Sequence, residues 1–297
     1  MEAFIHQVLA GLATGGIYAS LALALVMIYQ ATHLVNFAQG ELAMFATYIA
    51  WALINLGVPA LGIPPLPYWV AFFVTVIFAF VLGVVIERVV IRPVENAPVL
   101  AVVVIFIALL VILNSVTGWI FTYTIKTFPS PFPKEIGMGK YMSPHEVGAI
   151  GVTLVVLLLL YLFFRFTPLG LAMRAAAQNP DSARLVGVRV GWMLALGWGL
   201  AAAIGGVAGM MVAPIVYLDP NMMGGVLLYA FAAALVGGID SPGGAVFGGF
   251  LVGVLENVLG AFVIGNELKL AVALVLIIGV LTVRPSGFFG KVHVTRV

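Results

Sequence analysis

Chemistry in this chain is confined to a handful of side chains in apolar surroundings. Glu41 follows Asn36 and Gln39 closely, Glu256 is joined directly to Asn257, and both carboxylates interrupt stretches otherwise free of Asp, Glu, Lys and Arg. Polar groups at such positions are costly, and their possible roles are few: to carry a proton or cation, to line a pathway, or to hydrogen-bond one helix to another. Tyr18 with Ser20, Asn114 with Thr117, and Asp219 with Asn221 around Pro220 complete the inventory. His6, His33, His145 and His293 are scattered, and there is no HExxH, GxSxG or GxxxxGK[ST] pattern and no cysteine. The sequence therefore offers no catalytic set, no thiolate metal site and no nucleotide-binding loop.

The elements that must carry these residues follow from composition. Of the 297 residues, 63% are hydrophobic and only 8% are charged, against about a quarter charged in a soluble domain. Uncharged runs cover 3–40, 42–86, 96–125, 147–164, 190–218 and 220–239, and some twenty apolar residues suffice to cross a bilayer as a helix. These runs are apolar on every face, unlike the alternating strands of a membrane barrel. The expected fold class is all-α, a polytopic membrane protein with eight or nine transmembrane helices near 8–29, 40–57, 68–87, 98–118, 146–164, 191–213, 223–238, 244–262 and 268–283. Val8 to Tyr29 is too long for a signal-peptide core and lacks a basic flank, so it reads as a retained span. The 223–238 segment is short, and the link from Gln30 to Gly40 fits a broken or re-entrant helix as well as a plain loop.

Charge orients this bundle. Threading nine spans gathers nine of the 13 basic residues, including every arginine, on one side and four lysines on the other. Cytoplasmic segments retain Lys and Arg during insertion, so the arginine-rich side is expected to be the cytoplasm. The net charge of +2 gives no reason to expect a nucleic-acid partner. The pairs Gly11/Gly15, Gly205/Gly209, Gly244/Gly248 and Gly249/Gly253 have the spacing at which small residues let helices approach in lipid.

On the arginine-rich side lies a polar insert, TPLGLAMRAAAQNPDSARLVGV from Thr167 to Val188. Thr167 before Pro168 is an N-cap followed by a first-turn proline, which predicts a helix over Leu169 to Gln178. Asn179, Pro180 and Asp181 repeat the signal, and Gly187 suits the stop of a second short helix. Two capped helices in one loop make a rigid object. Met173, Arg174, Gln178, Asn179, Asp181 and Arg184 are its candidate contact residues, although a solvated loop holding arginines for topology alone has the same composition.

At these residues the chain resembles the permease subunits of ATP-binding-cassette importers of the branched-chain amino-acid (Liv) type. The resemblance rests on GLATGGIYASLALALVMIYQATHLVNFAQGELAMFATYIAW, on the insert, on ALVGGIDSPGGAVFGGFLVGVLENV and on LTVRPSGFFG, and it covers essentially the whole chain. Length and NFAQGE are similar to the LivH-type member of the permease pair. The resemblance implies one transmembrane permease domain over 1–297, with 166–190 as a cytoplasmic coupling loop, in the bacterial inner membrane. It further implies a homologous LivM-type permease, two cytoplasmic ATPase subunits that bind the ATP, and an extracytoplasmic solute-binding protein. The chain itself would hold no cofactor or metal. Leucine, isoleucine and valine are the implied cargo, with other amino acids, urea, amides or small carboxylates also open.

Within that frame Tyr18, Asn36, Gln39, Glu41, Asn114, Glu256 and Asn257 are candidates for the translocation pathway. Asn36, Gln39 and Glu41 have a bland alternative, a cytoplasmic turn with Glu41 capping a helix start. Glu256 and Asn257 have another, a structural hydrogen bond between helices. A secondary transporter or channel in which Glu41 and Glu256 carry protons or cations is the rival from a different class.

Overall fold

The computed structural model describes residues 2–32, 35–95, 97–137 and 141–290. Within them the chain forms α1 (Glu2–Thr32), α2 (Gln39–Asn55), α3 (Tyr68–Ile86), α4 (Val99–Phe121), α5 (Pro144–Phe166), α6 (Pro168–Gln178), α7 (Pro180–Leu185), α8 (Val190–Val216), α9 (Met223–Gly237), α10 (Pro242–Leu259) and α11 (Lys269–Val283). No strand occurs among the described residues, only isolated bridges at Val58/Ile63 and Lys126/Leu218. The chain is an all-α, multi-pass integral membrane protein.

Nine of these helices coincide with the nine apolar segments expected. Among the described residues, seven helical stretches are long and apolar enough to cross a membrane: Glu2–Gln30, Tyr68–Val94, Val99–Phe121, Pro144–Phe166, Val190–Val216, Pro242–Ile264 and Asn266–Val283. The two short ones are α2 and α9, of 17 and 15 residues. At 1.5 Å per residue they reach about 25 and 23 Å, short of a hydrocarbon core of roughly 30 Å. A turn at Phe37–Ala38 precedes α2, and Gly57, held at φ +67°, follows its last turn. His33 and His293 lie outside the described residues.

The chain divides into two compact units. The first comprises Met1–Val26, Phe132–Thr153 and Gly225–Val297; the second comprises Met27–Pro131 and Leu154–Gly224.

In the second unit α8 is the axis, with α2, α3 and α6 packed on it and α4 packed on α2. The small residues of α8 explain the closeness. A Cβ on Gly199 would stand 2.8 Å from Val84 and 2.9 Å from Phe80, and one on Gly209 would stand 2.8 Å from the Ala43 carbonyl. The outward faces of α3 and α4 are large and apolar, with Phe73, Ile77, Val81, Val104, Ile107 and Val111 exposed. Such faces are stable only against hydrocarbon or another protein.

In the first unit the opening turns of α1 pack on α10. A Cβ on Gly11 would meet the Val254 Cα at 2.7 Å, and one on Gly15 the Phe250 Cα at 2.9 Å. The Gly11/Gly15 pair thus faces Gly249 and Gly253, while Gly244 and Gly248 face α9. Past α11 the chain returns to the end of α9, where Phe288 N–H donates to the Val236 carbonyl and Phe289 N–H to Gly237, both at 2.9 Å. The LTVRPSGFFG and ALVGGIDSPGG segments are therefore two sides of one clamp, with Phe289 against Phe247 at 5.3 Å.

Candidate functional site

The insert forms the two helices its sequence predicts. Thr167 Oγ1 accepts from Gly170 N–H at 2.9 Å, and Asn179 Oδ1 accepts from Ser182 N–H at 2.9 Å, so both N-caps are made by side chains. At the far end Val188 N–H donates to Ala183 at 3.0 Å and Gly187 N–H to Arg184 at 3.1 Å, with Gly187 at φ +86°. This is a Schellman stop, for which a glycine has no Cβ penalty. Ala176 and Ala183 are buried with Val190 against Met193 and Leu194, which fixes the hairpin to the start of α8.

The faces of this hairpin divide its residues. Arg174, Gln178, Asn179, Asp181 and Arg184 lie on its outer side, and Arg184 pairs with Asp181 at 3.2 Å. Met173 turns inward, buried beside Gly197 of α8, so it anchors the hairpin and does not stand on its surface. Sequence reasoning missed Leu185 and Val186. They are 89% and 79% exposed at the tip, an apolar knob that water does not favour. The signal was present, since both follow the polar face of a helix too short to bury them.

Among the membrane-buried candidates, Tyr18, Glu256 and Asn257 come together in the first unit. Tyr18 O–H donates to Glu256 Oε2 at 2.8 Å and stacks on Tyr229 at 4.9 Å between centroids. Asn257 Nδ2 donates to Thr14 Oγ1 at 2.9 Å and to the Gly253 carbonyl at 3.0 Å, while its Oδ1 accepts from Lys269 Nζ at 3.2 Å. The close glycine seam of α1 and α10 brings Thr14 within reach of Asn257. Tyr229 and Lys269 also approach the Glu256 carboxyl.

Asn36, Gln39, Glu41 and Asn114 belong to the second unit. Asn36 Oδ1 accepts from Ala38 N–H at 3.0 Å and so holds the turn into α2, and Gln39 Nε2 donates to the Ala201 carbonyl of α8 at 2.9 Å. Gly205 leaves the room, because a Cβ there would lie 2.7 Å from that nitrogen. Glu41, in the first turn of α2, is only 8% exposed; its Oε2 has no hydrogen-bond partner among the described residues. Asn114 of α4 stands beside the Glu41 carboxyl. Its amide donates to the Pro220 carbonyl at 2.8 Å and to Asn221 Oδ1 at 3.3 Å. Asp219 Oδ1 accepts from Asn221 N–H at 2.7 Å, which shapes that loop.

Unmatched polar atoms are unevenly distributed. Ten buried side-chain nitrogens and oxygens lack a hydrogen bond among the described residues, and every one belongs to the second unit, although two of them, Glu87 Oε2 and Arg88 Nε, form an ion pair at 3.6 Å. They include Asn36 Nδ2, Gln39 Oε1, Glu41 Oε2, Tyr48 O–H and Trp198 Nε1. Buried polar atoms are nearly always satisfied in folded proteins, and each exception asks for an explanation.

Comparison with known proteins adds an independent finding. Residues 7–281 match the family described as the permease component of branched-chain amino acid transport systems. The chain is 32% identical over 302 residues to the high-affinity branched-chain amino acid transport system permease protein BraD of Pseudomonas aeruginosa, covering 99% of this chain and 98% of that one. It is 30% identical to the corresponding LivH protein of Escherichia coli, with the same coverage. It is also 30% identical to the probable branched-chain amino acid transport permease protein LivH of Methanocaldococcus jannaschii, over 91% of this chain and 87% of that one.

Proposed function

We propose a role for this chain on one premise: it belongs to the family of permease components of branched-chain amino acid transport systems. Proteins of this family are transport permeases, not enzymes, and in bacteria they reside in the inner membrane. We infer that this chain is the LivH-type half of a translocation pathway, paired with a LivM-type permease. Two cytoplasmic ATPase subunits bind and hydrolyse the ATP, and an external binding protein delivers leucine, isoleucine, valine or a related amino acid.

The observation that carries this reading is the α6–α7 hairpin. It is capped at both starts, stopped by a Schellman turn, seated on α8, and presents Arg174, Gln178, Asn179, Asp181 and Arg184 around the apolar tip of Leu185 and Val186. A rigid lever with an apolar knob and a charged rim suits docking into a groove on an ATPase. Its attachment to α8 passes movement to the helix on which α2 and α3 pack. Closure of the ATPases on ATP then tilts the hairpin and alternates access to the pathway. Asn36, Gln39, Glu41 and Asn114 are assigned to that pathway, whereas Tyr18, Glu256 and Asn257 are assigned to holding its frame. Asp219 and Asn221 offer a polar loop to the binding protein.

The test is reconstitution of the permease pair with its ATPases and leucine-loaded binding protein. Replacing Arg174, Asp181 and Arg184 together by alanine is expected to cut leucine uptake by about tenfold, while the protein inserts normally; this corresponds to about 1.4 kcal/mol of lost coupling. Replacing Leu185 and Val186 by serine is expected to do the same. Unchanged uptake in both variants, or uptake driven by an ion gradient through this chain without ATPases, overturns the reading.

A further inference from the structure

Glu41 and Tyr48 are seven residues apart on α2, so they lie on one stripe of the helix. Asn114 and Phe121 are likewise seven apart on α4, and the two stripes face each other. Asn114 stands beside Glu41, and Tyr48 stacks on Phe121 at 5.0 Å. Within this seam the Glu41 Oε2 and the Tyr48 hydroxyl, which is wholly buried, both lack partners among the described residues. A hydroxyl and a carboxylate oxygen left unmatched in an apolar seam are destabilising unless something arrives to meet them. Seven residues set the two groups about 10 Å apart along the helix, so a compact positive donor with several N–H groups meets the Glu41 carboxylate, while the Tyr48 hydroxyl stands further along the seam on the side of Asp219.

The cover of this seam is held under strain. Thr122 ends α4 at φ 65°, ψ 161° and Tyr217 ends α8 at φ 66°, ψ 157°. These are backbone angles that only glycine adopts at ease, and non-glycine residues kept there cluster at clamps and switches. The two loops that follow are joined by Lys126 N–H to the Leu218 carbonyl and Leu218 N–H to the Lys126 carbonyl, both at 2.9 Å. Asn114 fastens them from below, through its donation to Pro220 and by accepting from Tyr123 O–H at 3.2 Å.

We propose that the α2–α4 seam is a seat for the ammonium group of the cargo amino acid, with Glu41 as its counter-charge, Asn114 beside it, Tyr48 further along the same seam, and the paired loops as its cover. This inference rests on the reading above that the cargo is an amino acid. The seat gives the permease a selection of its own: it accepts zwitterions and rejects carboxylates of the same shape.

The absence of cysteine from this chain makes the test clean. A single cysteine is placed at Tyr48→Cys and, in a second protein, at Asn114→Cys, each in the reconstituted complex with cysteine-free partners. Each is labelled with a thiosulfonate reagent bearing either an ammonium or a sulfonate group. With Glu41 present, the ratio of ammonium to sulfonate labelling rates is expected to be at least about tenfold higher than in the Glu41→Gln background, because a buried carboxylate attracts one reagent and repels the other. Leucine is expected to slow labelling by the ammonium reagent, and 4-methylpentanoate, which lacks the ammonium, is expected not to. Equal ratios in the parent and Glu41→Gln backgrounds, at both cysteine positions, overturn the seat, as does protection by sodium alone. Failure of the cargo reading looks different: the unaltered complex then takes up no leucine and leucine gives no protection, while the Glu41-dependent ratio persists and still supports an ammonium seat.

Discussion

Glu41 and Glu256 are chemically the same group, buried to a similar degree on helices of the same membrane protein, yet their surroundings are opposite. Around Glu256 the network is complete. Tyr18 donates to it, and the neighbouring Asn257 is engaged by Thr14, Gly253 and Lys269. Around Glu41 it is open: Asn114 lies against the carboxyl, but Oε2 has no hydrogen bond, nor has one side-chain atom each of Asn36 and Gln39 or, further along α2, the Tyr48 hydroxyl, among the described residues. Burial of a carboxylate in a membrane helix therefore assigns no role by itself. The hydrogen-bond census around it separates a group that ties helices together from one that awaits a ligand.

The complete network depends on backbone proximity, and the largest expected effect comes from breaking that. Gly253 of α10 lies against Gly15 of α1, with no space for a side chain. Gly253→Val is expected to lower the unfolding free energy by roughly 3 kcal/mol, the upper range for overpacking, and to separate Asn257 from Thr14. Thermal unfolding of the purified protein in detergent reads this. A variant as stable as the parent refutes the claim that this seam positions the Glu256 network.

An opposite-sign pair comes next. Glu256→Met strands the Tyr18 hydroxyl and is expected to cost about 2 kcal/mol, whereas Glu41→Met removes an unmatched buried oxygen and is expected to be neutral or stabilising by about 1 kcal/mol. The functional outcomes reverse: Glu41→Met loses leucine uptake, and Glu256→Met keeps it in whatever protein remains folded. Should both substitutions destabilise equally, the contrast between the two carboxylates collapses.

Much of this arrangement was legible in the sequence, and the limits were set by the range of the forces involved. The boundaries of α6 and α7 could be read because caps are local: Thr167, Asn179 and Gly187 act on residues three to five positions away. The glycine pairs could be read from spacing, but their facing partners could not, since Gly11 meets residues 253 and 254. The same holds for Glu256, whose donor Tyr18 is 238 positions away. Asn36, Gln39, Glu41, Glu256 and Asn257 each carry a pathway reading and a structural one in the sequence, and only their partners in the fold separate the two. Met173 inside and Leu185 outside invert what their neighbours suggest, because α8 supplies a cover for one and nothing for the other. The clamp of Phe288 and Phe289 on α9 left no trace in periodicity, as it is made by backbone groups of an irregular tail.

The smallest expected effect is also the most closely matched comparison. Tyr18 and Tyr48 are both buried and both stacked on an aromatic ring, Tyr229 at 4.9 Å and Phe121 at 5.0 Å, so their packing environments are alike. Replacement by phenylalanine removes one oxygen from each and leaves the stacked ring. At Tyr18 that oxygen donates to Glu256 at 2.8 Å, and Tyr18→Phe is expected to cost about 1 kcal/mol, in keeping with hydrogen bonds to charged groups tempered by their modest value in membranes. At Tyr48 the oxygen is unmatched, and Tyr48→Phe is expected to leave stability unchanged or to raise it by a few tenths of a kcal/mol. Two thermal midpoints and two uptake rates decide the matter. A loss of stability at Tyr48 equal to that at Tyr18 means that its hydroxyl is satisfied in the folded protein, and the seam between α2 and α4 is then no more open than the network around Glu256.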